Sequence, residues 1–289
     1  MRRFSRVAIV GTGLIGGSFG AALARADLAH VRIGYSPADG ERALALGLID
    51  VLTPDLATAV AGADLVVLAA PVSVNAALMA QLAIHLEPQA LVTDLSSVKG
   101  PVVRAAAAAL GAALGRYVPS HPIAGAELSG PAAAAADLFD GRTVILSPLR
   151  GTDTRALARI EALWQALGAR PQQLDVDSHD RLYAAISHWP HVVAFALAAT
   201  TAQAIEDEQG GAERAAALVG PGLRDTTRIA KADAELWADI LLANAGPVAN
   251  CADAFAHQLE RVRDALACAD RERLVRVLEA AAHWRRSLE

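Results

Sequence analysis

Glycines at phosphate-binding spacing, and histidines set among hydroxyls and an arginine, are the residues of this 289-residue chain that point to chemistry. Gly11, Gly13 and Gly16 stand in GxGxxG order within VAIVGTGLIGG, behind a short apolar run and ahead of a longer Ala/Leu-rich one. In a strand–turn–helix the first glycine permits the tight turn, the second lets a pyrophosphate approach the backbone, and the third lets helix pack on strand. With Leu14 and Ile15 between them, they form a candidate dinucleotide cradle. The residue ending the second strand selects the cofactor. An acidic side chain there takes the ribose 2′-hydroxyl of NAD, and a nearby arginine favours NADP. IGYSPADGER puts Ser36 at that position, with Asp39 in reach of the ribose and Arg42 in reach of a phosphate. NAD is the expected cofactor, and NADP stays open.

Four more stretches carry reactive side chains: TDLSSVKG at 93–100, SHPIAGAELSGP at 120–131, ISHWPHVVAFAL at 186–197 and GPGLRDTTRIAKAD at 220–233. The first follows an expected strand and the second a short one, where the crevice at the carboxyl ends of strands lies. His188 and His191, three apart, share one side of a helix. Each residue also has a structural reading. His121, before Pro122, can end a strand and bond a carbonyl. Ser97 can cap the next helix, His188 and His191 can be core histidines, and Arg228 can pair with Asp225 or Asp233. Lys99 can touch the cofactor or substrate but reads first as an exposed first-turn lysine, and Trp237 as core or pocket wall. No metal is expected: Cys251 and Cys268 have neither CxxC nor Cys/His ligand spacing.

The elements that must position these groups change character along the chain. Val7–Val10, Val31–Tyr35, Leu65–Ala69, Leu91–Thr93 and Thr143–Leu146 are short apolar runs that read as strands buried on both faces. Helix-like segments separate them at 18–26, 37–46, 73–86 and 101–114, with another over 152–167 and a last edge strand over 172–174. Such alternation specifies an α/β, Rossmann-type doubly wound parallel sheet. Beyond about residue 176 the β-branched runs stop. Helical period then covers 180–204, 211–219, 234–244, 247–266 and 271–286. Residues 1–176 are therefore expected to be a dinucleotide-binding domain and 177–289 an all-α domain, whose apolar helices need a second copy to pack against.

Composition narrows the function class. With 26 Lys+Arg against 31 Asp+Glu the net charge is −5, only Lys99 and Lys231 are lysines, and no clustered basic face suggests nucleic-acid binding. Two cysteines cannot build a disulfide framework, which fits a reducing compartment. No unbroken apolar run reaches the ~18–20 residues of a membrane span, and the basic-then-apolar start carries its glycines where a nucleotide loop needs them. The expectation is a cytoplasmic protein acting on a small molecule, without nucleic-acid or membrane partners.

GTGLIGGS, DLSSVKG, SHPIAGAELSGP…DLFDGRTVILSP, SHWPHVVAFAL and RDTTRIAKADAELW, in this order, resemble the prephenate (cyclohexadienyl) dehydrogenase family of tyrosine biosynthesis. The resemblance runs from about residue 5 to 245. It implies a nucleotide domain joined to a helical dimerisation domain, hence a homodimer. It also implies NAD(P)-dependent oxidative decarboxylation of prephenate to 4-hydroxyphenylpyruvate, or of arogenate to tyrosine. By the same resemblance His121 is the catalytic histidine, Ser97 helps hold the reacting hydroxyl, Arg228 binds a substrate carboxylate, and His188 and His191 orient the substrate. Ala126 stands where family members often have threonine, and Glu127 is a further acid near the site. No fused mutase or regulatory domain is expected, so inhibition by tyrosine would be competitive. Two other readings compete. A β-hydroxyacid-type dehydrogenase would place a lysine where His188 and His191 stand. A non-catalytic dinucleotide sensor would have no use for His121, Ser97 and Arg228 together.

Overall fold

A computed structural model describes residues 2–125, 129–206 and 217–288. Its first half is an eight-stranded sheet: β1 (Phe4–Val10), β2 (Ala29–Tyr35), β3 (Val51–Leu52), β4 (Leu65–Leu68), β5 (Leu91–Asp94), β6 (Tyr117–Pro122), β7 (Thr143–Leu146) and β8 (Arg170–Gln173). The spatial order is β3-β2-β1-β4-β5-β6-β7-β8. The chain builds outward from β1 in one direction and then returns to build outward from β4 in the other. The switch point between β1 and β4 is where an open α/β sheet presents a ligand crevice. Register fixes its floor: Val10 is level with Tyr35 and Leu68, Leu68 with Asp94, and Asp94 with Pro119. His121 stands just past that level.

Alternation along the central strands explains burial on both faces. Val7 and Ile9 of β1, with Leu65 and Val67 of β4, join a core containing Phe19, Phe139 and Trp164. Ala8, Val10, Val66 and Leu68 point the other way, into a core with Met79, Val102 and Tyr117. At ~1.5–3 kcal/mol for each fully buried large aliphatic side chain, this two-sided burial is the main force holding the sheet. Helices α1 (Leu14–Arg25), α2 (Gly40–Ala45), α3 (Leu56–Val60), α4 (Asn75–Ala83), α5 (Gly100–Ala109) and α6 (Thr154–Ala166) cover it.

Several elements differ from the sequence expectation. The sheet is not wholly parallel, because β7 runs antiparallel to β6. The pair β3 and α3 lacks the length that makes periodicity visible. Helix α1 starts at Leu14, inside the glycine motif, since its first turn belongs to the cradle.

From Val176 on, the described chain is helical: α7 (Val176–Tyr183), a π-turn over Ala184–His188, α8 (Trp189–Glu206), α9 (Pro221–Thr227), a 3₁₀ turn over Arg228–Lys231, α10 (Ala234–Ala243), α11 (Ala245–Ala267) and α12 (Arg271–Arg286). The single helix expected over 180–204 is thus interrupted at His188. The helix expected over 211–219 falls mostly outside the described residues. Val176–Glu206 as a whole is long and apolar enough to cross a membrane by length and composition, with mean hydropathy 1.3 in its most apolar window. His179, Asp180, His188 and His191 lie along it, so it is not an unbroken apolar run.

Candidate active site

The glycine cradle is built by close approach. Gly11 has φ +94°, and a Cβ there would stand 2.6 Å from the Ala69 carbonyl oxygen; a Cβ on Gly16 would stand 1.9 Å from the Gly11 carbonyl oxygen. Both positions exclude any side chain, and their packing seats α1 against the ends of β1 and β4. Gly13 caps α1 with no side-chain hydrogen bond, and no acidic residue lies in the first turn. The N–H groups at the start of that helix, including those of Leu14 and Ile15, have no intrahelical acceptor and point outward with the positive end of the helix dipole. A pyrophosphate fits this cradle: the backbone is bare and the donors converge. Ser36 lies just beyond β2, where its hydroxyl accepts the Asp39 N–H at 3.3 Å.

Across the crevice, β6 delivers His121. Its backbone is anchored one residue earlier. The Ser120 carbonyl accepts from Lys99 Nζ at 2.6 Å, and the Ser120 hydroxyl bonds Thr93 Oγ1 at 2.8 Å and accepts from Trp164 Nε1 at 3.3 Å. Lys99 is not the exposed lysine expected from its place ahead of α5; it is completely buried. It is ion-paired with Asp94. Asp94 also accepts from the Tyr117 hydroxyl at 2.7 Å and the Ser96 N–H at 3.0 Å. Burial pulls the Lys99 ammonium below its ordinary value, and the Asp94 charge opposes that pull. Burial, with Asp94 alongside, pushes the Tyr117 phenol well up.

Behind His121 lies a relay that the sequence reading missed. His121 Nδ1 is 2.8 Å from His179 Nε2, and His179 Nδ1 is 2.8 Å from Asp180 Oδ1. The Asp180 carboxylate also accepts the N–H groups of Lys99 and Gly100, each at 2.8 Å. Burial alone would raise its pKa, but the bonds from His179, Lys99 and Gly100 outweigh it and hold the carboxyl below its ordinary value. A carboxylate only accepts, so His179 Nδ1 carries the proton and its Nε2 accepts. His121 Nδ1–H must then be the donor, which leaves the lone pair on His121 Nε2. Burial first, then the neighbouring His179, Lys99 and His188, pushes His121 well below 6.5, so its ring is neutral at physiological pH. Tyr183 stacks on His179 with centroids 4.6 Å apart and meets His121 edge-on at 4.8 Å, fixing both rings.

Asn244 connects this relay to the helical half. Its Nδ2 donates to the Asp180 carbonyl at 2.8 Å and to His188 Nδ1 at 3.0 Å. His188, at the end of the π-turn, is buried, and burial lowers its pKa to about 4. One helical turn on, His191 Nδ1–H donates to the Ser187 carbonyl at 2.9 Å, so its Nε2 also accepts. Its ring stacks on Trp237, centroids 3.5 Å apart at 20°. Burial lowers His191, and the Arg228 charge adds to that effect.

The structure therefore brings His121 and His188 together through His179, Asp180 and Asn244, and it places His191, Trp237 and Arg228 beside them. Ser97 is half-buried in the turn between β5 and α5. It does not cap α5, whose N-cap is Lys99. Ala126 and Glu127 lie outside the described residues. No group of three or more His, Cys, Asp or Glu side chains that would hold a metal occurs among the described residues. A faint signal for the relay was present. His179 and Tyr183, four apart, share a helix face behind the Asp175 cap, and adjacent His-Asp in SHDRLY is a donor–acceptor pair.

Comparison with known proteins converges on one family. Residues 19–173 match the nucleotide-binding domain of prephenate dehydrogenase and residues 175–280 its dimerization domain. The chain is 35% identical to a cyclohexadienyl dehydrogenase of Zymomonas mobilis, over 95% of this chain and 93% of that one. A prephenate dehydrogenase from A. aeolicus, solved with hydroxyphenyl propionate and NAD+, superposes with TM-score 0.88 at 32% identity, covering 99% of this chain and 98% of that one. A Synechocystis arogenate dehydrogenase superposes with TM-score 0.79 at 27% identity, covering 98% and 100%. With a glycine cradle facing an oriented neutral histidine, this chain belongs to the prephenate dehydrogenase family and is an NAD-dependent oxidoreductase.

Proposed function

We propose that this enzyme oxidatively decarboxylates prephenate to 4-hydroxyphenylpyruvate in tyrosine biosynthesis, with His121 as the base. Bound NAD supplies the acceptor for the carbinol hydride of a cyclohexadienol, which becomes aromatic as its ring carboxylate departs as carbon dioxide. The protein's task is to place that ring and take one hydroxyl proton. The observation that carries the reading is the relay Asp180–His179–His121, which leaves the Nε2 lone pair free in a neutral imidazole at the carboxyl ends of the strands. Ser97, on the neighbouring β5–α5 turn, is proposed to hold the same hydroxyl. Arg228 offers paired donors for a carboxylate. His191 and His188, each held in one tautomer by a single named partner, orient the substrate. Gly11, Gly13, Leu14, Ile15, Gly16 and Ser36 line the cofactor side.

The division near residue 176 follows the same logic, with the nucleotide domain up to there and a substrate and dimerisation domain over 177–289. Support for a homodimer comes from the matched dimerization domain. It comes also from the large apolar side chains left exposed on the helices, among them Ile186, Leu242, Leu259, Leu266 and Trp284. A second copy, not lipid, is proposed to cover Val176–Glu206 and its neighbours, and the setting is the cytoplasm. Arogenate is a second substrate reading, favoured by the likeness to the Synechocystis enzyme. The test is to incubate prephenate and arogenate, each with NAD and with NADP, and to follow the near-ultraviolet absorbance of the reduced nicotinamide. Reduction with prephenate and NAD is the expected result. No reduction in any combination, with NAD bound, would refute the assignment.

A further inference from the structure

Asp39 behaves unlike the other aspartates that open helices in this fold. Asp55, Asp153, Asp175, Asp233 and Asp270 each stand at a helix N-cap, and each carboxylate accepts a backbone N–H two or three residues on. Asp39, ahead of α2, accepts none, because its backbone is already helical (φ −111°, ψ −5°) where theirs is not. Its carboxylate lies toward the cradle instead: Oδ2 is the nearest atom to a Cβ placed on Gly13, 3.4 Å away. Gly13 is the N-cap of α1. The loop that carries Asp39 is folded by Ser36, whose hydroxyl accepts the Asp39 N–H at 3.3 Å and whose carbonyl accepts the Gly40 N–H at 3.2 Å.

We propose that Asp39, and not the residue just beyond β2, is the side chain by which this enzyme selects NAD over NADP, with Ser36 as its brace. The inference rests on the dinucleotide reading of the cradle. Gly13 is the second glycine of the motif, where the pyrophosphate passes closest to the backbone, and the adenosine ribose is joined directly to it. A half-buried carboxylate at that point accepts the ribose 2′-hydroxyl and repels a 2′-phosphate. This is the work an acidic residue at the strand end does in the usual arrangement. Here the turn Ser36–Asp39 moves the acid three residues along the chain and brings it back over the loop. Ser36 caps this turn through its hydroxyl and carbonyl, so the Asp39 carboxylate is left uncommitted beside Gly13.

Calorimetric titration of NAD and of NADP into the wild type, Asp39→Asn, and Asp39→Asn combined with Ser36→Asp tests this without turnover. The loss of a charge-assisted hydrogen bond predicts NAD binding weaker by about 10-fold or more in Asp39→Asn, with NADP unchanged or tighter. The combined variant returns a carboxylate to the end of β2 and should recover the preference for NAD. Thermal unfolding should change little, because the Asp39 carboxylate holds no hydrogen bond among the described residues. An unchanged ratio of NAD to NADP affinity in Asp39→Asn would overturn the inference and leave the cradle reading intact. Binding of neither nucleotide to the wild type would overturn the cradle reading, and this inference with it.

Discussion

Replacing His179 with leucine isolates what the relay contributes. The substitution keeps an apolar body of similar size beside Tyr183 but removes the acceptor 2.8 Å from His121 Nδ1. His121 then holds an N–H with no partner in a buried place, or turns to the tautomer that puts the proton on Nε2, where the lone pair is needed. A buried donor left unsatisfied costs about 1–3 kcal/mol. If that cost falls wholly on the productive arrangement, turnover drops by about 5- to 150-fold. The Michaelis constant should move little, since His179 stands behind His121. Steady-state rates across pH provide a second readout. In the wild type the acid limb lies well below pH 6.5, because burial, and then the neighbouring His179, Lys99 and His188, depress His121. Losing His179 removes one of those causes and moves the limb upward. His179→Gln, which restores an acceptor, should recover part of the rate. Wild-type turnover together with an unmoved acid limb in His179→Leu would refute the relay as a catalytic device and leave it a packing contact.

His121→Asn should lower turnover by about 10²–10⁴ with NAD affinity intact; turnover near the wild-type level, measured with saturating NAD, would remove His121 from the mechanism. Arg228→Ala should chiefly raise the Michaelis constant for prephenate, as loss of carboxylate binding does; a selective fall in NAD affinity would move Arg228 to the other site. His188 gives stability a pH dependence. It is buried neutral with its pKa lowered to about 4, so the unfolded chain binds the extra proton first as pH falls. Stability from this group is full above about pH 6.5 and declines toward pH 4, by at most roughly 3 kcal/mol. Denaturant melts of wild type and His188→Gln across that window should diverge at neutral pH and converge in acid, and parallel curves would contradict the burial argument.

How far the sequence reaches depends on whether a feature is local. The strands β1, β2, β4, β5 and β7 were legible because two-sided burial demands unbroken apolar runs, and the cradle because only glycine tolerates contacts like those at Gly11 and Gly16. Helix α12 was legible because its Asp270 cap and its period lie within one segment. The strand pair β6–β7, antiparallel in a parallel sheet, was not, since direction is set by which neighbour a strand meets. Lys99 was misread for the same reason. As a residue type it belongs at the surface, and only the carboxylate of Asp94 and the carbonyl of Ser120, 21 residues away, let its ammonium sit in the core. The relay is the sharpest case. His121 was picked out by its motif, but its partner lies 58 residues on and the next link runs from Asp180 back to Lys99 and Gly100, 81 and 80 residues away. The sequence determined which residues were available, because spacing along one element is a local property. Which nitrogen of His121 keeps its lone pair was decided by the fold alone, because protonation answers to whatever the tertiary structure sets within hydrogen-bonding distance.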